Sequence, residues 1–262
     1  MKRYLRLYFI FFRNCLIREM EFRFNFLIWT IMDIIYLATV LLGTYLIFGH
    51  IQEIGGWSKN EVLLLVLTTS LIFDLLWTFF MVNLMFFSDL VREGNLDFAL
   101  LKPVNPRFIV STRYFEFDHY VRMPIIFYLI FKLVGEIGIS PSLLSWLLYS
   151  ISLLFGLLIV YCFFFMITTT NFWFIKIFNF SNLFDDVLDV ARFPSSIYKN
   201  KLKYFFLYFI PSAFIAYFPV EILLGRRSWE TVVFSGLVMF FLFIVSQKFW
   251  RFALKHYQSA SS

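Results

Sequence analysis

The stretch that decides the fold reads Arg92-Glu93-Gly94-Asn95-Leu96-Asp97-Phe98-Ala99-Leu100-Leu101-Lys102-Pro103. It is short, polar and helix-like, and it stands between an apolar run over residues 62–87 and another run that ends near Val134. A protein that only anchors itself in a membrane does not need such a segment. We therefore expect this stretch to connect a membrane-embedded body to a contact in the cytoplasm.

The composition excludes a soluble globular domain. Of the 262 residues, 61% are hydrophobic, 23% are aromatic and only 15% are charged, whereas about 25% charged residues is usual for soluble domains. A helix needs about 20 mainly apolar residues to cross a hydrocarbon core about 30 Å thick. The strongest runs of this kind cover residues 27–48, 62–87, 143–168 and 231–250, and weaker ones cover 109–134, 172–193 and 203–224.

These runs lack the two-residue alternation of barrel strands. We therefore predict an all-α integral membrane protein with six transmembrane helices, built as a single domain over residues 1–262. In the third span the charges of the first half can neutralise one another, Arg113 with Glu116 and Asp118 with Arg122. That helix is expected to enter the bilayer near Pro124.

The N-terminal residues 1–25 predict a retained helix that lies on the membrane surface. Four basic residues, Lys2, Arg3, Arg6 and Arg13, share one side of a helical wheel with Asn14. The opposite side is occupied by Tyr4, Leu5, Tyr8, Phe11, Phe12 and Cys15. Such a helix suits an anionic leaflet. The other reading is a plain cytoplasmic tail. Cys15 and Cys162 have neither disulfide nor metal-site spacing.

The net charge of +6 is explained by membrane topology and does not require a nucleic-acid partner. With six spans, nineteen Lys and Arg residues fall on one side and four on the other, which places both termini in the cytoplasm. The larger group comprises Lys2, Arg3, Arg6, Arg13, Arg18, Arg23, Arg92, Lys102, Arg107, Arg113, Arg122, Lys176, Arg192, Lys199, Lys201, Lys203, Lys248, Arg251 and Lys255, and the smaller group Lys59, Lys132, Arg226 and Arg227.

No pattern in the chain predicts catalysis, a metal site or a bound cofactor. The three histidines are isolated, and neither a nucleophile elbow nor a GxxxxGK[ST] phosphate loop occurs. Two acids inside spans, Asp33 and Asp74, are the remaining candidates, either as pathway-lining groups or as structural hydrogen-bond partners of a neighbouring helix. Asp185, Asp186 and Asp189 suggest a water-facing helix side more than a cation site.

The polar stretch resembles the coupling helix of ABC-2 type ABC transporter permeases, in the branch encoded beside a separate ATPase. The resemblance rests on Arg92-Glu93-Gly94-x-Leu96-Asp97-x-x-Leu100-x-x-Pro103 and on the continuation to Pro106. It implies that Arg92, Glu93, Gly94, Leu96, Asp97, Leu100 and Pro103, within residues 88–106, couple the chain to the ATPase. From the spacing alone, Leu96 and Leu100 are expected to share the docking face of this helix.

A second match lies between Ala191 and Gly225, where the spacing of Pro194 and Pro211 resembles the border of the fifth span and an extracellular re-entrant hairpin in that family. The resemblance implies a fifth span at 172–193 and a hairpin over 194–225 that includes Pro219. Lys199, Lys201 and Lys203 then move outside, which leaves sixteen basic residues against seven and the same orientation. Hydropathy alone favours 203–224 as the span.

The family resemblance implies a subunit of an ATP-driven exporter in the cell membrane. Two copies of a separate ATP-binding subunit would carry ATP and Mg²⁺, and a second permease, identical or paralogous, would complete the pathway. An alternative is a structural or anchoring membrane protein, and a membrane-embedded enzyme ranks third. The substrate stays open among lipids, drugs, peptides and lipid-linked glycans.

Overall fold

The computed structural model describes residues 2–174, 180–194, 197 and 211–257, and these ranges contain helices and no strand. The helices are α1 (Lys2–Glu21), α2 (Arg23–Ile47), α3 (Lys59–Leu76), α4 (Val82–Arg92), α5 (Leu96–Leu100), α6 (Pro106–Thr112), α7 (Asp118–Ile137), α8 (Leu143–Thr169), α9 (Phe180–Ala191), α10 (Phe218–Leu223) and α11 (Trp229–His256). The predicted all-α membrane fold is confirmed.

Four helices in the described ranges are long and apolar enough to cross a membrane, namely Arg23–Ile47, Lys59–Arg92, Leu143–Phe172 and Trp229–His256. They correspond to the four strongest apolar runs of the sequence. The second of them joins α3 to α4 through a π-helical turn over Trp77–Met81. At about 1.5 Å per residue, its 34 residues reach beyond the hydrocarbon core.

The two remaining predicted spans look different. Helix α7 has 20 residues and carries charged residues in both halves, Asp118 and Arg122 in the first and Lys132 and Glu136 in the second, with Pro124 inside the helix. Helix α9 has only 12 residues in the described part of the chain, and residues 175–179 before it lie outside that part. The total of six spans therefore stays a prediction.

The helix bundle has two ends, and contacts between helix termini and loops show which segments lie at each end. At the coupling end, which we define by residues 93–117, the hydroxyl of Tyr4 in α1 accepts a hydrogen bond from the backbone N–H of Asn105 at 3.2 Å. The C-terminal part of α11 reaches the same end. The loop end is defined by residues 48–58, 138–142 and 224–228, and Arg226 pairs there with Glu61 at 2.6 Å. The N-terminal helix and the polar stretch thus lie together.

Helix α1 is a helix separate from α2, because the backbone turns at Phe22. Part of the side predicted to be apolar packs inward, where Phe12 meets the rings of Phe115 and Phe117 at 5.5 and 5.0 Å, whereas Leu5 is exposed. Cys15 is buried in the same cluster. The location of this helix at a membrane surface stays a prediction.

Residues 211–223 form a short buried element beside α8. A π-helical turn over Ala213–Tyr217 leads into α10, and the backbone of Phe214 approaches Gly156 so closely that only glycine leaves room. The apolar helix Ala213–Leu223 is far shorter than the roughly 20 residues of a full span. Lys199, Lys201 and Lys203 lie outside the described residues, so the course of the chain between Pro194 and Pro211 stays a prediction.

Candidate functional site

A buried ion pair joins α3 to α7. The guanidinium of Arg122 donates hydrogen bonds to the Asp74 carboxylate, with Nε at 3.1 Å from each oxygen, while Nη1 donates to the backbone carbonyl of Asp33 at 3.0 Å. Asp74 and Arg122 are both almost completely buried. The predicted pair of Asp118 with Arg122 is wrong, because Arg122 points across to α3 instead of along its own helix.

Beside this pair opens a cavity of about 920 Å³ between α1, α2, the α3–α4 helix, α7 and α9. Six carboxylates line it. They come from Glu19 in α1, Asp33 in α2, Glu116 just before α7, Asp118 in α7, and Asp185 and Asp189 in α9. Among the described residues that line the cavity there is no lysine or arginine, and His119 is the one basic group, so acidic groups predominate on its walls.

The rest of the wall is largely aromatic. Phe26, Trp29 and Tyr36 come from α2, and Phe73 and Trp77 come from the α3–α4 helix. Trp77 belongs to the π-helical turn, and such turns inside α-helices occur often at functional sites. Its indole nitrogen is buried and has no hydrogen-bond partner among the described residues.

Basic groups near the cavity are already committed to some of these acids. Arg192 pairs with Asp189 at 2.5 Å and also donates a hydrogen bond to the hydroxyl of Tyr36 at 2.6 Å. Nδ1 of His119 lies 2.6 Å from the carboxylate of Asp33.

The other carboxylates of the cavity have basic side chains only at longer distances. Arg18 lies 3.5 Å from Glu19, and the nearest base to Glu116 is His119 at 3.9 Å. Within the described ranges, no basic side chain lies within 4.0 Å of a carboxylate oxygen of Asp118 or Asp185.

The polar stretch is a short helix set at an angle to α4. Helix α4 ends at Arg92, the backbone turns at Gly94 with a φ of +70°, and α5 covers only five residues. Gly94 suits this left-handed conformation, which other residues rarely adopt. Helix α5 buries Leu96 and turns Phe98 outward.

A family model for ABC-2 family transporter proteins matches residues 34–261. The chain belongs to the ABC-2 transporter family. It is thus a membrane permease component of an ABC transporter. The comparison with curated proteins and the comparison with solved structures found no match.

Asp33 and Asp74, the two acids predicted as candidates for lining a pathway, lie in different surroundings in the permease. Asp33 lines the cavity, whereas Asp74 is fully buried behind it and has its charge paired by Arg122. In this structure Asp74 is thus a partner of Arg122, and its role as a pathway-lining group stays a prediction. Asp185 and Asp189 face the cavity, and Asp186 does not line it.

Within the coupling segment, the expected docking face is also corrected. Leu96 has 0% exposure and packs into the permease core, and Leu100 is only half-buried against it. Phe98 and Leu101, by contrast, are 67% and 82% exposed. The backbone turn at Gly94 sets the direction of α5, and it points the side that carries Leu96 towards the core.

Sequence reasoning did not find Glu116 and His119 as cavity residues. The available signal was the cluster of charges in the first half of α7, which we interpreted as pairing within that helix. A charged residue at a membrane interface more often finds its partner on another helix than the local spacing suggests. The other members of the cavity come from helices far apart in the sequence, and no motif joins them.

A second buried cation of the permease lies on the other side of the bundle. Arg107 in α6 donates hydrogen bonds to Gln247 at 2.6 Å and to Ser246 at 2.9 Å, both in α11. Its guanidinium carbon lies 4.3 Å from the ring centre of Phe165 in α8. Neutral oxygens and an aromatic face thus stabilise this charge. Arg107 ties the coupling end of α6 to two long helices.

One group of potential metal ligands occurs in the described part of the chain. Ligand atoms of Asp33, Asp118 and His119 all lie within 4.8 Å of one another. However, Nη1 of Arg122 is 3.8 Å from the carboxylate of Asp33, and a guanidinium so near opposes a divalent cation.

Proposed function

We propose that this permease is the membrane subunit of an ATP-driven exporter that works with a separate ATP-binding subunit. Two such ATPases and a second permease, identical or paralogous, would complete the transporter, with ATP and Mg²⁺ held by the ATPases. Membership of the ABC-2 family supports an ATP-binding partner and a multi-pass membrane location. The permease itself would supply binding and a two-state gate.

The observation that carries this proposal is the exposed apolar pair Phe98 and Leu101 at the coupling end. Large apolar side chains that are exposed beside charged residues mark contact sites for other proteins. Arg92, Glu93 and Lys102 are exposed around them, which gives the pair a polar rim. We infer that Phe98 and Leu101 insert into a groove of the ATPase, while Leu96 anchors the segment from inside.

The segment is suited to transmit motion because both of its neighbours are fixed. Leu96 and Ala99 pack against the core on the inner side of α5. On the chain that follows, Arg107 joins α6 to α8 and α11. A push on α5 therefore moves helices of the bundle instead of bending a loop.

We further propose that the coupling end faces the cytoplasm of the cell. Basic side chains are concentrated in α1, in the coupling segment and in the last turns of α11, which all lie at this end. The loop end carries Lys59, Arg226 and Arg227, and Arg226 is paired with Glu61. This asymmetry follows the positive-inside rule.

The proposal is tested by purifying the permease from its native membrane and measuring the ATP hydrolysis that accompanies it. The wild-type protein should carry ATPase activity, and the double variant Phe98→Asp/Leu101→Asp should lose at least 90% of it. Ile51→Asp/Leu143→Asp changes two exposed apolar residues at the loop end and serves as the matched control. It should keep the activity.

Two outcomes would contradict the proposal. The first is wild-type permease that carries no ATP hydrolysis above an unrelated membrane protein purified in the same way, which would favour a structural or anchoring role. The second is full activity in Phe98→Asp/Leu101→Asp. A folding defect is recognised separately, because the variant would then elute as an aggregate on size exclusion.

A further inference from the structure

The cavity beside the Asp74–Arg122 pair has the size of a ligand site. Its volume of about 920 Å³ lies within the range of roughly 300–1,000 Å³ that is usual for sites of drug-sized ligands. Glu19, Glu116 and Tyr36 lie on its wall, and Arg192, which does not line the cavity, donates a hydrogen bond to the hydroxyl of Tyr36 at 2.6 Å. The Asp74–Arg122 pair is formed by direct contact of its two side chains and does not depend on this open space.

The charges on the wall are not balanced by the protein. Arg122 is committed to Asp74, Arg192 to Asp189, and His119 to Asp33. Asp118 and Asp185 have no basic partner within 4.0 Å among the described residues. Carboxylates gathered in a partly apolar cleft focus a negative potential that concentrates cations.

The aromatic walls favour one kind of cation. Trp29, Phe73 and Trp77 line the same cavity as the carboxylates. Aromatic faces attract organic cations by cation–π interaction, and the attraction is stronger where water is excluded. A hydrated metal ion or a polyamine without an apolar body would leave these rings uncovered.

We propose that the cavity binds lipophilic organic cations, in which a positive charge sits on an apolar or aromatic body. Asp118, Asp185 and Glu116 would face the charge, and the rings of Trp29 and Trp77 would cover the body. The inference rests on the proposed transport function only for movement of the ligand. Binding itself needs neither the ATPase nor a second permease.

The test compares two probes of the same shape and opposite charge on the purified permease in lipid nanodiscs. Tetraphenylphosphonium should quench the tryptophan fluorescence and saturate, whereas tetraphenylborate should bind at least tenfold more weakly. Failure of this binding test overturns the ligand class and leaves the ATPase test of the exporter proposal untouched. Failure of the ATPase test has no effect on this binding result.

Substitutions of the cavity carboxylates test whether tetraphenylphosphonium binds in the cavity. Asp118→Asn/Asp185→Asn should weaken tetraphenylphosphonium binding at least tenfold, while Asp186→Asn should leave it unchanged. Asp186 is the matched control, because it lies on the same helix as Asp185, is exposed and does not line the cavity. The thermal unfolding temperature of each variant shows whether the fold is intact.

Three results would overturn the proposal. They are equal affinity for both probes, an equal loss of affinity in Asp186→Asn, and saturable Mn²⁺ binding in the cavity without tetraphenylphosphonium binding. If Asp118→Asn/Asp185→Asn does not fold, the single variant Asp185→Asn decides, because its side chain is exposed and its replacement leaves the packing unchanged.

Discussion

Asn83 binds the backbone of Tyr114 through both ends of its side-chain amide. Its Nδ2 donates to the carbonyl of Tyr114 at 2.8 Å, and its Oδ1 accepts from the N–H of Tyr114 at 2.8 Å. The two residues are 31 positions apart, and Asn83 is almost completely buried. The contact holds the chain between α6 and α7 against α4, so the coupling segment leaves and re-enters the bundle at fixed points.

We expect Asn83→Ala to destabilise the permease, because it leaves two buried backbone groups of Tyr114 unpaired. Each unsatisfied group costs about 1–3 kcal/mol. Asn95→Ala is the matched control, since Asn95 is exposed, and it should change stability by less than about 0.5 kcal/mol. Thermal unfolding in detergent measures both. Equal shifts for the two variants would show that the Tyr114 contacts contribute little.

Asp74→Asn should be more damaging than a change at a surface ion pair. It leaves Arg122 buried without its counter-charge, and breaking one side of a buried pair costs about 3–5 kcal/mol. Asp89→Asn removes an exposed partner of Arg92 at 2.8 Å and should cost less than about 1 kcal/mol.

Replacing both members of the buried pair provides a second test. Asp74→Leu/Arg122→Met should unfold at a higher temperature than Asp74→Asn, because it leaves no isolated charge. If Asp74→Asn were as stable as Asp89→Asn, the pair would not support the fold.

Gly156→Ala should separate α8 from the buried element over residues 211–223. A Cβ at position 156 would overlap the carbonyl oxygen of Phe214, so one of the two backbones must move. We expect a loss of about 1–3 kcal/mol, as for other overpacked cores. Gly43→Ala in α2 is the control, because nothing lies within 4 Å of its added Cβ. A similar melting temperature for both variants would contradict the close contact.

The sequence predicted the long apolar helices well, and the reason is physical. Leucine, valine and phenylalanine fill α8 and α11 on all sides, and the bilayer alone imposes their length. The partner of Arg122 could not be predicted in this way. Asp74 lies 48 residues before it, and local spacing offered Asp118 as an equally good partner.

The exposed side of α5 was mispredicted for a related reason. Leu96 and Leu100 are four positions apart and share one helix face, but periodicity does not say whether that face points inward or outward. The position of α5 against the core decides this, and it depends on the turn at Gly94. The candidate cavity could not be predicted for the same reason. Its walls come from five separate parts of the chain that only the tertiary structure brings together.

Binding of a lipophilic cation should strengthen as the pH rises through 7. Burial, together with the charge of Asp118, raises the pKa of Glu116 to about 7, and His119 opposes this shift while Glu19 and Asp33 add to it. Glu116 is therefore mostly neutral at pH 6 and mostly ionised at pH 8. If only the ionised form binds, affinity should rise roughly tenfold over this interval, as expected for one titrating group.

The same titration acts on stability with the opposite sign. A carboxyl group whose pKa is raised by folding binds more protons in the native state than in the unfolded state, so the fold loses stability as the pH rises from the ordinary pKa of 4.5 through about 7. Glu116→Gln should flatten both the stability profile and the binding profile between pH 6 and 8. Measuring tetraphenylphosphonium affinity at the two pH values checks this. An unchanged slope in Glu116→Gln would assign the titration to another group.

The orientation is checked with single cysteines in a Cys15→Ala/Cys162→Ala background, in which the two native thiols, both buried, are removed. A cysteine at Gln52 should react with a membrane-impermeant thiol reagent in intact cells, because the loop end is expected outside. A cysteine at Lys255 should react only after the membrane is opened. The reverse pattern would turn the permease over in the membrane.

The Asp74–Arg122 pair also constrains how the permease is made. Because α3 emerges from the ribosome 48 residues ahead of Arg122, its carboxylate reaches the insertion machinery before its partner exists. An isolated acid at the centre of a helix costs about 2.5–3.5 kcal/mol on insertion. Helix α3 must therefore wait beside the translocon, sheltered from lipid, until α7 arrives and the two leave together. Biosynthesis of this half of the bundle is thus a paired event, and a nascent chain that ends before Arg122 should be retained and degraded.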